Sequence, residues 1–277
     1  MNPERVGPSL NGQVALITGA GRGIGKAISL AFARAGANVV CLARSISQIE
    51  EVVQEIRRSN LPDAIAISAD VSRGSDLREA VARVTEKFGK IDILVNNAGV
   101  DRVGSLQYEH DFQAWWQVFE VNMKGPAALI HLVLPGMLDR DRGTIINIGS
   151  RNAISNHPFM TAYSASKTAL LRFNQCLGLE LKGSKVCTFY LHPGHVATSL
   201  MNGSFDTTEA AKIPRLKTML DSMHATMENS DPKGAELAAK SAVMLASVRE
   251  AYLLNGLYID AQQDLSEILS LAQTNDH

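Results

Sequence analysis

The chain has 277 residues, 45% of them hydrophobic and 20% charged, with a net charge of −1. That length buries a core of good size in one or two domains, and the near-neutral balance, with no basic run, excludes a nucleic-acid stripe. No apolar run is of membrane-spanning length, the opening MNPERVGPSL lacks the apolar stretch of a secretion signal, and Cys41, Cys176 and Cys187 show neither metal nor redox spacing, so a cytoplasmic, metal-free protein is expected.

Gln13–Thr18 (QVALIT) is a short, nearly continuous apolar run, as in a strand buried on both faces. It leads into Gly19-Ala20-Gly21-Arg22-Gly23-Ile24-Gly25, a helical stretch Lys26–Ala35 stopped by Gly36, and a second strand at Asn38–Leu42. The unit has the length of a right-handed strand–helix–strand crossover. Glycines at such a turn let the backbone approach a pyrophosphate, whose charge then rests on the helix N-terminus. The spacing differs by one residue from the usual dinucleotide fingerprint.

A carboxylate after the second strand would bind a ribose 2′-hydroxyl and repel a 2′-phosphate. Here Ala43 is followed by Arg44 and Ser45, with no acid before Glu50, and Arg22 projects from the glycine turn. Two guanidiniums and a hydroxyl make a phosphate cradle, which favours NADP(H).

The alternation continues through a helix at Ser47–Arg58, a strand at Ala64–Ala69 closed by Asp70-Val71, a helix at Ser75–Phe88 and a strand at Ile91–Val95. Asp70 either faces the adenine edge or caps a turn. Asn96-Asn97-Ala98-Gly99 stands at the carboxyl end of its strand, where open α/β sheets bind ligands. Asp111–Leu138 reads as one long helix carrying Trp115, Trp116 and Asn122, the tryptophans being core or subunit-contact residues. Pro126 cannot donate to the Asn122 carbonyl, so a local kink is expected there.

Gly143–Gly149 is the fifth strand and delivers Ser150; Thr161–Leu181 is a helix bearing Tyr163 and, one turn on, Lys167. Residues four apart share a helix face, and an ammonium so placed would pull the phenol's pKa down, making Tyr163 an acid and base near neutrality. The Ser150 hydroxyl would hold a carbonyl oxygen against it. Lys185–Leu191 is a sixth strand, followed by His192-Pro193-Gly194-His195-Val196-Ala197-Thr198, and Leu257–Ile259 is a seventh.

Together TGAGRGIG, Asp70-Val71, NNAG, VNMKG, Ser150, YSASK and PGHVAT, in this order over roughly residues 13–198, resemble the single-domain short-chain dehydrogenases/reductases. The resemblance implies a doubly wound α/β fold, a seven-stranded parallel Rossmann-type sheet with helices on both faces, in one domain spanning 1–277. It also implies a catalytic tetrad of Asn122, Ser150, Tyr163 and Lys167. Tyr163 would be the general acid/base, Ser150 would orient the substrate oxygen, and Lys167 would bind the nicotinamide ribose. Asn122 would hold a water in a proton relay. Gly19, Gly23, Gly25 and Asn96, with Arg22, Ile24, Arg44, Ser45, Asp70, Val71, Ala98 and Gly99, would position NADP(H), and Pro193, Gly194, Val196 and Thr198 its carboxamide end. The implied reaction is hydride transfer to or from a ketone or secondary alcohol, in a homodimer or homotetramer. An epimerase using the cofactor transiently, or a non-catalytic NADP-binding regulator, are the alternatives.

Residues 199–231 correspond to that family's substrate-covering region. Here they carry Met201, Phe205, Ile213, Leu216, Met219, Leu220, Met223 and Met227, suited either to a bulky apolar ligand or to a core. Arg151, Asn152, His157, Asp101 and Arg102 are candidate contacts to polar substrate groups. In the C-terminal tail, 261–277, the stretch Leu265–Ala272 is amphipathic, and its Leu265, Ile268, Leu269 and Ala272 need a surface to cover, on the same subunit or a neighbour.

Overall fold

The computed structural model describes residues 9–194, 196, 212–228 and 233–275. Seven parallel strands form one sheet: β1 (Val14–Thr18), β2 (Asn38–Ala43), β3 (Ala64–Ser68), β4 (Ile93–Asn96), β5 (Gly143–Ile148), β6 (Val186–His192) and β7 (Tyr258–Asp260). Their spatial order is β3-β2-β1-β4-β5-β6-β7. The chain runs outward from β1 to one edge, then returns to β4 on the other side of β1. The strand direction of winding therefore reverses between β1 and β4, which opens a crevice at their carboxyl ends.

The apolar runs of the sequence are explained by burial on both faces. In β1, Ala15 and Ile17 enter one core layer with Ile28 and Phe32 of α1 (Gly23–Arg34) and Ile49, Val52 and Ile56 of α2 (Ile46–Arg58). Val14 and Leu16 enter the other with Leu77 and Val84 of α3 (Gly74–Phe88). This alternation is the two-residue period of a strand, with both sides apolar because both are covered.

The long helix expected over Asp111–Leu138 is divided. α4 (Phe112–Phe119) passes into a π turn at Glu120–Lys124 and then α5 (Gly125–Asp139). The Gly125 N–H donates to the Glu120 carbonyl five residues back, and Pro126 falls in the first turn of α5, where its missing N–H costs least. The widened turn lies where the proline argument put a distortion.

α6 (Thr161–Glu180) follows β5, and α7 (Pro214–Glu228) and α8 (Gly234–Ser247) follow β6. The tail is answered within the chain: Leu265 and Leu269 of α9 (Leu265–Asn275) are buried with Ala251, Leu254 and Ile259 in the first core layer. Among the described residues, no helix is long and apolar enough to cross a membrane.

Candidate active site

The glycine turn is held by close backbone packing. Gly19 and Gly23 have φ of +64° and +53°, which side chains rarely adopt. A Cβ on Gly25 would stand 2.2 Å from the Gly19 carbonyl oxygen, so α1 can approach β1 only with glycine there. Asn97 stitches β4 to this turn by donating from Nδ2 to the carbonyls of Thr18 (2.9 Å) and Gly19 (3.2 Å). Thr18 Oγ1 in turn accepts the N–H groups of Asn97 and Ala98 at 3.0 and 2.9 Å.

The turn opens into a cleft of about 840 Å³ at the carboxyl ends of the strands. Gly19, Arg22, Gly23, Ile24, Arg44, Ser45, Asp70, Val71, Ala98 and Gly99 line one end. Ser150, Tyr163, Lys167, Pro193, Gly194 and Val196 line the other, so most of the sequence-predicted residues meet in one place. Thr198 lies outside the described residues. A larger, open groove of about 1390 Å³ between α2 and α3 is lined by Lys26, Glu50, Glu55, Arg58 and Arg83 and touches none of these groups; it is a solvated charged surface.

Three of the residues expected to bind cofactor or act in catalysis do not line the cleft. Asn96, expected to position the cofactor, is buried, and its Nδ2 donates to Asn147 Oδ1 at 2.9 Å. Asn147 continues to Asn174 on α6 (3.0 Å), which accepts from Thr188 Oγ1 (2.7 Å). Asn96 therefore belongs to a polar ladder tying β4, β5, α6 and β6, and Asn97 is the residue that shapes the turn. Gly25 acts through packing. The Asn122 side chain, fully buried, is a strut: Oδ1 accepts from Val100 N–H (2.9 Å), and Nδ2 donates to Val100 O (2.8 Å) and Ser166 Oγ (3.0 Å). Ser166 in turn donates to the Tyr163 carbonyl at 2.8 Å. Ser166 was missed because a serine inside a helix carries no signal of its own.

Asp70 caps a turn, the second of its two expected roles, and also lines the cleft. Its Oδ1 accepts from the N–H and hydroxyl of Ser72 at 2.9 and 2.7 Å. Burial raises its pKa, but those two hydrogen bonds, with Arg44 and Arg73, bring it below the usual carboxylate value.

Ser150 follows β5 in extended backbone, and its hydroxyl accepts from the Asn152 N–H at 3.2 Å. Tyr163 and Lys167 share a face of α6. Lys167 Nζ lies over the Tyr163 ring, 5.8 Å from its centroid, and donates to the Ile148 carbonyl at 2.8 Å. The sequence argument that the ammonium depresses the phenol's pKa is overturned here. Burial pushes Tyr163 up to about 12; the Ser150 hydroxyl offsets this in part and the Asp101 carboxylate adds to it. Burial also lowers Lys167 to about 8. The amine faces the ring and is half discharged at mildly alkaline pH, so it cannot outweigh desolvation of the phenolate. The Tyr163 phenol is therefore protonated at neutral pH.

The far wall combines Arg151, Asn152 and His157 with Met160, Met219 and Met223. Asp101 lines the cleft, whereas Arg102 forms a forked pair with Glu109 at 2.5 and 2.6 Å. Met219 and Met223 also pack with Leu216 and Leu220 beneath Tyr163, so the segment serves core and cleft together. Met201 and Phe205 lie outside the described residues.

Residues 13–209 match the family model described as short chain dehydrogenase. This chain belongs to the short-chain dehydrogenase/reductase family. It is an oxidoreductase acting between CH–OH and C=O groups with a nicotinamide cofactor. A short chain dehydrogenase of Pseudocercospora fijiensis is 37% identical over 272 residues, covering 98% of this chain and 87% of the relative. Among solved structures, a protein described as an NAD(P)-dependent gluconate 5-dehydrogenase of Beutenbergia cavernae, with bound NADP, is 29% identical with a TM-score of 0.75, covering 91% of this chain and 96% of that one. A 7α-hydroxysteroid dehydrogenase complexed with NADH and 7-oxo glycochenodeoxycholic acid is 27% identical with a TM-score of 0.75, over 91% and 93% of the two chains.

Proposed function

We propose that this family member is an NADP(H)-dependent reductase of ketones, and in reverse a dehydrogenase of secondary alcohols, on a bulky apolar or cyclic substrate. The observation that carries the cofactor reading is the charge at the glycine end of the cleft. Arg22 lines it from the glycine turn, and Arg44 and Ser45 line it just beyond β2, where an NAD-preferring site would hold a carboxylate. The narrow turn, whose Gly19–Gly25 contact leaves no room for a Cβ, and the unblocked N-terminus of α1 fit a pyrophosphate.

When bound, the reduced nicotinamide supplies the hydride. Ser150 holds the substrate oxygen and Tyr163, protonated at neutral pH, donates to it as negative charge develops. Lys167 holds the ribose side of the cleft. Met160, Met219 and Met223 offer a deformable apolar wall, which supports a large substrate, and the 7-oxo bile acid held by the hydroxysteroid dehydrogenase is a ketone of that kind. In this reading residues 1–277 form one domain and the active form is a homodimer or homotetramer.

Calorimetric titration tests the cofactor. NADPH binds more tightly than NADH, and Arg44→Asp weakens NADPH by about 10- to 100-fold, the loss of a charge-assisted hydrogen bond plus repulsion, with little effect on NADH. Equal affinities in the wild type overturn the NADP(H) reading. Loss of nicotinamide absorbance across bulky cyclic ketones tests the reaction, and silence on all of them, with NADPH bound, overturns the reductase reading.

A further inference from the structure

One buried hydroxyl joins the two halves of this site without touching the cleft. Tyr190 sits on β6 in register with Asn147 of β5 and is fully buried among Ala153, Leu170 and Leu171. Its Oη accepts the backbone N–H of Ser150 at 3.0 Å. Its single proton goes either to the Lys167 carbonyl, 3.2 Å away, or to the Ser150 carbonyl at 3.3 Å. One phenol thus spans from the residue that presents the substrate-orienting hydroxyl to the helical turn that carries the lysine and, one turn earlier, the general acid.

The surroundings are shaped for that ring. A Cβ on Gly149 would stand 2.0 Å from Tyr190 Cε1, so the residue before Ser150 can only be glycine while the ring stays in place. On its other side the ring stacks on Tyr258, with centroids 5.6 Å apart. Burial drives the Tyr190 pKa far above the usual tyrosine value, so the group remains a neutral donor and acceptor throughout the working pH range.

We propose that Tyr190 is a positioning residue for the reaction: its hydroxyl sets the distance between Ser150 and the Tyr163–Lys167 face of α6. The inference rests on the reductase reading above. Ser150 stands beyond the end of β5, in a segment that turns immediately through Arg151–Ala153, and the bond from its N–H to Tyr190 fixes where its hydroxyl points. A displacement of about 1 Å in such a constellation costs on the order of 100-fold in rate.

Tyr190→Phe keeps the ring and removes the bridge. With NADPH and a bicyclic ketone such as 2-decalone, the expected result is a kcat lower by about 10- to 100-fold, with KM and the NADPH Kd within about twofold of wild type. Phe189→Leu, on the opposite face of β6 and in the other core layer, serves as the control for destabilisation alone and retains kcat at an equal or larger loss of Tm. A Tyr190→Phe kcat within about twofold of wild type, or the same kcat loss in Phe189→Leu, overturns the proposal. If wild-type protein reduces no carbonyl, the reductase reading fails by itself. The crystal structure of Tyr190→Phe then decides: a widened gap between Ser150 and Lys167 supports the bridge, and an unchanged gap refutes it.

Discussion

Tyr163 carries one proton, and burial decides which form it takes. With its pKa near 12 the phenol is neutral at any physiological pH, so Tyr163→Phe removes the donor and nothing else of size. Turnover should fall by about 10³-fold or more, in the range of lost general acid catalysis, while NADPH affinity stays within about twofold; near-normal turnover in that variant would falsify the role. Lys167 gives a second handle, through stability. Its folded pKa of about 8 lies below its ordinary value of 10.5, so between those values the unfolded chain binds a proton that the native state does not. Stability must therefore rise with pH across that window. Tyr163, raised from 10 to about 12, acts in the opposite sense only above pH 10. Urea unfolding of the cofactor-free protein should show wild type gaining on Lys167→Met between pH 8 and 10, by on the order of 2 kcal/mol. A difference that is flat with pH would mean that Lys167 keeps its proton in the fold. The residues that meet in the cleft were readable because their motifs stand in a fixed order and spacing along the chain. The phenol's pKa was not, because desolvation depends on what surrounds Tyr163, and a four-residue spacing to Lys167 does not say whether the amine meets the hydroxyl or the ring face.

At the scale of elements, the strands were legible because β1, β2 and β4 are buried on both faces and so read as unbroken apolar runs. The helices were legible because Gly36 and Gly89, at φ of +99° and +77°, end α1 and α3 where the sequence places glycine. What stayed hidden was which neighbour each polar residue meets. Asn96 and Asn97 are adjacent in one motif, yet alternation sends Asn96 into the ladder with Asn147 and leaves Asn97 beside the glycine turn. The division of Asp111–Leu138 was half legible: Pro126 announces a distortion at Asn122, which the turn at Glu120–Lys124 contains, but not that it takes the form of a widened π turn. Tyr190 was invisible for a different reason. In the run VCTFYLH it is one more core residue, and only the pairing of β6 with β5 shows that Gly149 and Ser150 lie against it.

For the whole molecule, the sheet order gathers the residues proposed for cofactor binding and catalysis at one end and leaves a different surface to explain. On α4, Phe112, Trp115, Trp116 and Phe119 form a slab of stacked rings, with consecutive centroids 5.1 to 6.3 Å apart. Phe112 is 62% and Trp116 45% exposed, while Trp115 is anchored by its Nε1–H to Thr161 Oγ1 at 3.1 Å. Rings already locked by stacking lose little freedom when covered, and each Phe or Trp offers roughly 150–250 Å² of contact. With a net charge of −1, repulsion between copies is weak. This slab lies on the helix that leads through the π turn into α5 and packs on α6, so a partner covering it would also stiffen the first turn of α6, where Tyr163 stands. Sedimentation velocity at micromolar concentration should show an associated wild type. The double variant Phe112→Ser/Trp116→Ser should move to a smaller species with NADPH affinity retained, since neither residue lines the cleft. A wild type that sediments as a monomer removes the association, and a double variant that keeps the wild-type size places the contact elsewhere.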